Sequence, residues 1–402
     1  MSRVVVILPT QSYRAGDFVR AAEELGIELI VASEGEAPID MGDRYVQIDC
    51  ADPAAAAETI VALGDNTPID GVVAADDAGV VVAALVGTRL GLPANGPEAA
   101  LATRDKLRQR TLLHNSEVPQ PRFAGVGPGT DIRAAAADIG YPLVVKPLGR
   151  SAGQGVIRVD RPDDLEPSVE RVRNILDGVS APNELLVESY LAGDEVAVEG
   201  ILGPDGLVPL TIFDKPGPMV GPGFQETILI TPSRHPAEVQ EECLRVAAAA
   251  TRALGLTHGP VHVELMVTAT NVAVIEIAAR SIGGLCSRSL SFGLMDTTLE
   301  ALILRNALGR DKPELRRDRD ASGVLMIPIP KPGTLAGVEG TTAVRAIEGI
   351  TGIDITAKVG DYLAPPPEGA RYLGFVFARG ETADEVEAGL RKAMATLEVV
   401  IR

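Results

Sequence analysis

Two glutamates in one predicted β-hairpin have a spacing that suits metal chemistry. Apolar residues alternate through Val261–Val267 and Val272–Ala279, which predicts two strands joined by a turn. A hairpin folded about Thr270 places Glu264 directly opposite Glu276. Like charges in opposed positions lie about 5 Å apart and repel, so a cation is expected between them. Mg²⁺ carrying substrate phosphates would satisfy both carboxylates. When the hairpin is considered alone, a solvent-facing hairpin with two ordinary surface charges is about equally consistent with the sequence.

A lysine followed by a loop of small residues has the character of a phosphate site. Lys146 lies in the apolar strand predicted over Tyr141–Leu148, and Ser151–Gly155 (SAGQG) follows. Small residues let backbone N–H groups approach phosphate oxygens, and the lysine adds a positive charge. Strand alternation also puts Arg280 on the face of Glu276. The chain has no Gly-Lys dipeptide and so no P-loop, and a protein kinase is excluded because HRD and DFG are absent.

The segment Glu188–Glu195 (ESYLAGDE) is a candidate for base recognition. A strand that leaves its backbone groups unpaired over Ser189–Leu191 can hydrogen-bond an adenine edge. Nearby carboxylates can accept hydrogen bonds from the amino group and from ribose hydroxyls. Taken alone, the segment is equally typical of an ordinary edge strand and turn.

Composition excludes several classes of protein. The 402 residues carry 37 basic and 55 acidic side chains, a net charge of −18 that disfavours binding to nucleic acid or to an anionic membrane. Cys50, Cys243 and Cys286 are far apart, without a CxxC pair, which indicates reduced, buried residues. No apolar run reaches the length of a membrane span. We therefore expect a cytoplasmic protein with no nucleic-acid or membrane partner.

The pattern of elements predicts a multidomain α/β and α+β protein. Strands alternate with helices over residues 1–102, as in a small α/β domain with a parallel sheet, but no GxGxxG follows the first strand. A helix is predicted from Thr103 through Leu113, within a second domain over residues 103–312. Strands over Thr342–Ile347 and Ile355–Val359 and a helix over Glu385–Leu397 predict a terminal α+β domain over 313–402.

The order of these motifs resembles the ATP-grasp superfamily. Lys106, Lys146 with its glycine loop, Glu188 to Glu195, and then Glu264 and Glu276 follow one another between about Thr103 and Gly309. The resemblance implies an ATP-grasp fold with a Rossmann-like α/β domain in front and a lid subdomain over about 118–190. It also implies ATP with Mg²⁺, or Mn²⁺, as cofactors, and a homodimer.

The resemblance also implies a role for each motif. Lys106 and Lys146 would contact phosphates, and the loop containing Ser151, Gly153 and Gly155 would cover them. Glu188 and the backbone of Tyr190 and Leu191 would read adenine, and Glu195 the ribose. Glu264 and Glu276 would hold Mg²⁺. Many family members have asparagine two residues after the second glutamate, where this chain has Ala278, so a second metal ion is in doubt.

The terminal region is similar to that of the L-amino-acid ligase branch, on Ile327–Gly333 (IPIPKPG) and Arg371–Phe377 (RYLGFVF). That branch implies an ATP-dependent ligase that joins a carboxylate to an amine, both small molecules and both amino acids, through an acyl phosphate. Arg280, with Lys146, would be catalytic. Residues that would line the substrate pocket are Lys215, Glu226, Arg280, Gly283 and Gly284, although for Lys215 and Glu226 a surface pair is the simpler interpretation.

Two other functions stay open at this point. The same fold can activate bicarbonate or formate, as in carboxylases and purine-pathway enzymes. The chain can also be a nucleotide-binding protein without turnover, an interpretation that the costly charges of Lys146, Arg280 and both glutamates disfavour.

Overall fold

The structure, a computed structural model of the chain, describes residues 1–10, 12–36, 41–65, 67–127, 129–217, 227–290, 297–310 and 320–402. No helix within these ranges is both long and apolar enough to cross a membrane.

The N-terminal unit contains a four-stranded parallel sheet in the order β3-β2-β1-β4, as the alternating pattern predicts. Two of its helices end at glycines with positive φ where the sequence predicts a stop, at Gly26 (φ 62°) and Gly91 (φ 67°). The elements are β1 (Arg3–Ile7), α1 (Ala15–Leu25), β2 (Glu28–Ser33), β3 (Tyr45–Gln47), α2 (Pro53–Leu63), β4 (Gly71–Ala74) and α3 (Val80–Leu90).

The single helix predicted from Thr103 through Leu113 is wrong. The structure has two helices, α4 (Pro97–Arg104) and α5 (Lys106–Asn115), separated by Asp105 in an extended conformation. The Asp105 carboxylate accepts the N–H groups of Leu107 and Arg108, so it caps α5 rather than continuing α4. Lys106 therefore stands at the start of a helix.

The region predicted to be a lid, and called the lid below, is built on an antiparallel sheet in the order β5-β8-β6-β7. Two helices pack on one face of this sheet and enclose a separate apolar core. The elements are β5 (Phe123–Val126), α6 (Ile132–Ile139), β6 (Leu143–Pro147), β7 (Ile157–Val159), α7 (Leu165–Gly178) and β8 (Leu185–Ser189). The sequence predictions did not include β5 or α7.

A central eight-stranded sheet, in the order β13-β12-β9-β10-β11-β14-β18-β16, joins the rest of the molecule. It contains β9 (Asp194–Gly203), β10 (Gly206–Asp214), β11 (Ile228–Thr231), β12 (Gly259–Val267), β13 (Val272–Ala278), β14 (Ala321–Met326), β16 (Ile350–Ile355) and β18 (Gly374–Gly380). The sheet crosses the predicted boundary at residue 313, because β14 pairs with β11. The flanking helices are α8 (Ala237–Ala253), α9 (Leu299–Ala307), α10 (Thr341–Arg345) and α11 (Ala383–Thr396).

Two strands predicted in the C-terminal region are wrong. Thr342–Ile347 begins inside α10, where the Val344 N–H donates to the Gly340 carbonyl and closes a helical turn. Of the strand predicted over Ile355–Val359, only Ile355 is in a strand, as the last residue of β16. A small sheet instead pairs β15 (Gly333–Glu339) with β17 (Tyr362–Leu363) and β19 (Glu398–Ile401). Residues 364–373, between β17 and β18, are called the C-terminal loop below.

Candidate active site

A cavity of about 790 Å³ opens where the N-terminal unit, the lid, the central sheet and the C-terminal loop meet. It collects most of the residues that the sequence nominated: Lys106, Lys146, Ser151, Gly153, Glu188, Tyr190, Leu191, Glu195, Lys215, Glu264, Glu276, Arg280, Gly283 and Gly284. Of the other two, Gly155 is not in the cavity wall and Glu226 lies outside the described residues.

The two hairpin glutamates face each other as predicted, but the turn and the strand register differ from those assumed in the prediction. Glu264 is the register partner of Glu276 in the β12–β13 pair. The loop is Thr268–Asn271, so its centre falls before Thr270 and not on it. A bulge at Ile275 shifts the register by one residue and restores the pairing of the glutamates.

Lysines supply the positive charge expected beside these carboxylates. Lys106 Nζ lies 2.9 Å from Glu276, and Lys215 Nζ lies 2.9 Å from Glu264 and 2.6 Å from Glu195. Burial would raise the pKa of Glu264, but Lys215 and His262 outweigh burial and hold that pKa well below its usual range. Glu264 is therefore an anion at neutral pH. Lys106 and Lys215 supply the positive charge that the two facing glutamates require.

The same carboxylates fit a divalent cation. The side chains of Glu264 and Glu276 are 21% and 28% exposed, and both line the cavity. The described residues contain no cluster of three or more acidic, histidine or cysteine ligands. Mg²⁺ commonly takes only one or two protein carboxylates and completes its shell with substrate phosphates and water. The donor set therefore fits Mg²⁺ bound together with a nucleotide.

Lys146 belongs to a buried ion-pair cluster in the wall of the cavity. Its Nζ lies 2.7 Å from Glu188 Oε2, and Arg110 Nε lies 2.5 Å from Glu188 Oε1. Burial would raise the pKa of Glu188, but Arg110 and Lys146 lower it to about 2. Burial lowers the pKa of Lys146, and Glu188 opposes that shift. Glu188 therefore fixes Lys146 at the cavity wall.

The end of β8 has fewer open backbone groups than predicted. The Ser189 N–H donates to the Arg122 carbonyl at 2.9 Å, and the Tyr190 N–H donates to the Pro142 carbonyl at 3.1 Å. The prediction of unpaired amides is therefore wrong at these two residues, because loop carbonyls extend the sheet beyond its last strand pair. The Tyr190 ring stacks on the Arg158 guanidinium at 4.1 Å, and Tyr190 still lines the cavity.

The Ser151–Gly155 loop connects the lid with the N-terminal unit and with the C-terminal loop. Ser151 Oγ donates to Asp77 Oδ2 at 2.8 Å, which connects the loop with the N-terminal unit. The Gly155 N–H donates to the Pro367 carbonyl at 2.8 Å, and the Gln154 amide to the Glu368 carbonyl at 3.0 Å. Because its N–H donates to the C-terminal loop, Gly155 holds the Ser151–Gly155 loop in place. Ser151 and Gly153 line the cavity.

Arg280 lies just beyond β13 and spans two parts of the chain. Its Nη2 donates to Asp77 Oδ2 at 3.0 Å, and its Nη1 to the Ser281 carbonyl at 2.9 Å. Burial would lower the pKa of Arg280, but Asp77 raises it above its ordinary value. Gly284, close by, has φ 60°, and a Cβ there would lie 2.6 Å from the Phe375 ring. A fixed cation thus stands beside a backbone segment that requires glycine.

His262 joins the Glu264 carboxylate to the Ser281–Gly284 segment. Its Nδ1 lies 3.0 Å from Glu199, and its Nε2 lies 3.5 Å from Glu264. Burial would lower the pKa of His262, but hydrogen bonds to Glu199 and Glu264 raise it to about 9. Glu199 in turn accepts the Ile282 N–H at 3.0 Å. A buried polar chain therefore connects Glu264 with the loop carrying Gly283.

Several site residues escaped sequence reasoning, though some carried a signal. Asp76 and Asp77 follow β4 directly, at the carboxyl end of a parallel strand, where α/β proteins place their ligands. His262 is two residues before Glu264 and so shares its face of the strand. Arg110 carried no such signal, because its partner Glu188 is 78 residues away.

Three sequence profiles match parts of the chain. An ATP-grasp N-terminal domain matches residues 19–94, an ATP-grasp domain matches residues 139–289, and L-amino acid ligase C-terminal domain 2 matches residues 325–402. Among solved structures, the fold is similar to an L-amino acid ligase from Bacillus licheniformis, with a TM-score of 0.83, 24% identity, and coverage of 100% of this chain and 99% of that one. A carboxyaminoimidazole ribonucleotide synthase from Aspergillus clavatus, complexed with ATP, has a TM-score of 0.77 at 19% identity, covering 98% of both chains.

Similar sequences include ligases. The uncharacterized protein y4rH of Sinorhizobium fredii is 23% identical over 99% of this chain and 83% of its own length. Alanine–anticapsin ligase of Bacillus subtilis is 28% identical over 56% of this chain, which spans only about half (51%) of that enzyme. D-Alanine–D-alanine ligase of Desulforudis audaxviator is 32% identical over 50% of this chain and 66% of its own length.

The fold and the matched domains define the class: the chain contains an ATP-grasp N-terminal domain and an ATP-grasp domain. Its C-terminal region matches L-amino acid ligase C-terminal domain 2. The mixed α/β, multidomain ATP-grasp fold expected from the order of the motifs is confirmed. ATP-grasp proteins bind ATP and Mg²⁺, in agreement with the cavity and its paired carboxylates.

Proposed function

We propose that the protein is an ATP-dependent carboxylate–amine ligase that joins two amino acids and releases ADP and phosphate. The observation that carries the proposal is one cavity lined by both the facing glutamates with their lysines and by Arg280 with Gly283 and Gly284. In this proposal, a nucleotide-binding end and an anion-binding end share one cavity. The similarity to alanine–anticapsin and D-alanine–D-alanine ligases supports an amino-acid substrate class.

In this proposal the substrate carboxylate attacks the γ-phosphate of ATP, giving an acyl phosphate and ADP. Lys106 and Lys146 bind phosphate oxygens, and Glu195 and Leu191 contact the nucleoside. Glu264 and Glu276 would hold Mg²⁺, which neutralises charge on the phosphates when bound. Mn²⁺ in place of Mg²⁺ stays a prediction.

The second step forms the amide. Arg280 holds the acyl group and stabilises the oxyanion that develops as the amine attacks. The Ser151–Gly155 loop and the C-terminal loop close the site between them and keep water from the acyl phosphate. Phosphate then leaves, and the amide remains.

The test is release of ADP and phosphate from Mg·ATP in the presence of each amino acid, alone and in pairs. Release that depends on two amino acids is expected, and it should fall at least about 100-fold in Glu276→Gln, which loses a metal ligand. Glu242→Gln, a partly exposed glutamate paired with Arg245 on α8, is the matched control and should keep full activity. Reactions with Mn²⁺ alone test the second cofactor prediction.

Other outcomes decide between this proposal and its alternatives. Release that needs only bicarbonate or formate would replace the amino-acid substrates with a carboxylase-type reaction. Binding of ATP with no release under any of these conditions would favour a non-catalytic nucleotide-binding protein.

A further inference from the structure

The carboxylates of the cavity are not equally neutralised. The described lining contains Asp76, Asp77, Glu188, Asp194, Glu195, Glu264 and Glu276. Five of them lie within 4 Å of a lysine or arginine: Asp77, Glu188, Glu195, Glu264 and Glu276. Asp194 is exposed to solvent. Among the described residues, Asp76 is therefore the half-buried carboxylate of this cavity that has no cation as an ion-pair partner.

The surroundings of Asp76 leave one of its oxygens available to a ligand. Asp76 Oδ1 accepts the Asp77 N–H at 3.1 Å, and no described residue hydrogen-bonds to Oδ2. Burial raises the pKa of Asp76, and the nearby Arg280 guanidinium partly offsets that shift. Withdrawing a carboxylate from water without a counter-charge is costly, so a cationic ligand group at this point stabilises the site. An ammonium group has the right charge and three donors.

The reaction proposed above brings such a group to the cavity. An amino-acid amine is an ammonium ion at neutral pH and has to lose a proton before its nitrogen can attack. The acyl phosphate would be held by Arg280, which lines the same wall and interacts electrostatically with Asp76. The neighbouring carboxylates already form ion pairs: Asp77 with Arg280, Glu276 with Lys106, and Glu264 with Lys215.

We propose that Asp76 binds the ammonium group of the amine substrate and accepts its first proton. This inference rests on the ligase function proposed above and assigns it a general base. The free amine nitrogen forms the C–N bond while the bond from the acyl carbon to the phosphate oxygen breaks. The second amine proton leaves with the phosphate as hydrogen phosphate, and Asp76 returns its proton to solvent.

The test compares two nucleophiles in Asp76→Asn, which keeps the oxygen that accepts the Asp77 N–H but removes the charge. With the amino-acid amine, amide formation should fall at least about 100-fold, the usual contribution of a general base. With hydroxylamine, which is largely uncharged at neutral pH, hydroxamate formation from the acyl phosphate should stay within about 3-fold of wild type. Asp65→Asn, an exposed aspartate of the N-terminal unit, is the matched control.

Each outcome decides something different. Equal losses with both nucleophiles in Asp76→Asn, or no loss with either, overturn the assignment of Asp76 while leaving the ligase function intact. If wild type forms neither amide nor hydroxamate from any carboxylic acid, the ligase function fails, and the assignment of Asp76 fails with it. Asp76→Ser, which keeps a hydroxyl acceptor for the Asp77 N–H, provides the same comparison if Asp76→Asn does not fold.

Discussion

At the scale of single residues, Arg280 is predicted to act in the chemical steps and not in nucleotide binding. It contacts Asp77 and the Ser281 carbonyl, whereas the carboxylates proposed to hold the metal are paired with lysines instead. Arg280→Ala should therefore lower kcat by about 100- to 1000-fold, the cost of losing one oxyanion donor, while the Kd for ATP changes less than about 3-fold. Steady-state kinetics together with ATP titration measure both quantities. Loss of ATP binding would contradict this role.

Glu188 makes a prediction about stability and pH. Its pKa is about 2 in the folded protein against an ordinary value of 4.5, because Arg110 and Lys146 outweigh burial. Since the folded pKa is the lower one, this stabilisation is fully present above pH 4.5 and is lost as the pH falls toward 2. Glu188→Gln should lower the free energy of unfolding by about 3 kcal/mol at pH 7, since it leaves two buried cations without their anion.

Denaturant unfolding at several pH values measures that effect. The difference between wild type and Glu188→Gln should shrink as the pH is lowered from 4.5 toward 2. Glu184→Gln, on an exposed residue just before β8, should show no such difference at any pH. A constant gap between wild type and Glu188→Gln down to pH 3 would mean that Glu188 is not held by its two cations.

At the scale of elements, the turn between β8 and β9 packs directly on the β12–β13 hairpin. A Cβ on Gly193 would overlap the Val267 carbonyl oxygen at the end of β12. Gly193→Ala should therefore destabilise the fold by about 1–3 kcal/mol through overpacking and shift the hairpin that carries both glutamates. Thermal unfolding and ADP release should both decline. Gly178→Ala, at a lid position where an added Cβ contacts nothing within 4 Å, is the control, and equal behaviour of the two variants would refute the steric argument.

Local signals were enough to predict many elements from the sequence. The bounds of α2 were predicted to the residue, because Asp52 caps its start and Pro53 occupies its first turn. The bounds of α3 were also predicted, because Gly91 ends it. The pairing of Glu264 with Glu276 was predicted from a hairpin folded about Thr270, but the bulge at Ile275 was not predicted. Elements without a cap or a clear period, such as β5, were missed.

The contacts that complete the site depend on folding, and the sequence could not predict them. Asp77 and Arg280 are 203 residues apart, and Lys106 and Glu276 are 170 residues apart. No local pattern specifies which distant side chain reaches a given charge, because the choice depends on how the sheets pack. For the same reason, whether Lys215 lay in the pocket or in a surface pair could not be decided until its contacts with Glu195 and Glu264 were known.

At the scale of the whole molecule, the C-terminal region is part of the main sheet. β14 pairs with β11 on one side and with β18 on the other, and Val324 is fully buried in the core shared with the N-terminal unit. A chain ending at residue 312 should therefore fail to give a soluble, cooperatively unfolding protein, since β11 loses its neighbour and apolar surface is exposed. Circular dichroism melting and size-exclusion chromatography of residues 1–312 test this expectation.

Supplying residues 313–402 as a separate chain during expression should restore part of the soluble fraction. A soluble fragment 1–312 that binds ATP would instead show that the C-terminal region is a separable domain.

Because of the bulge at Ile275, the face on which Glu276 lies depends on whether the number of residues between the two glutamates is odd or even. With a four-residue loop and no bulge, Glu276 would pair with Val263 and turn into the apolar core. Two single-residue length changes, one in each strand, can cancel, whereas one alone reverses which face the second glutamate occupies. Natural relatives that differ in strand length here can therefore be sorted by parity: an even difference keeps the second glutamate on the same face as the first, and an odd one turns it to the opposite face.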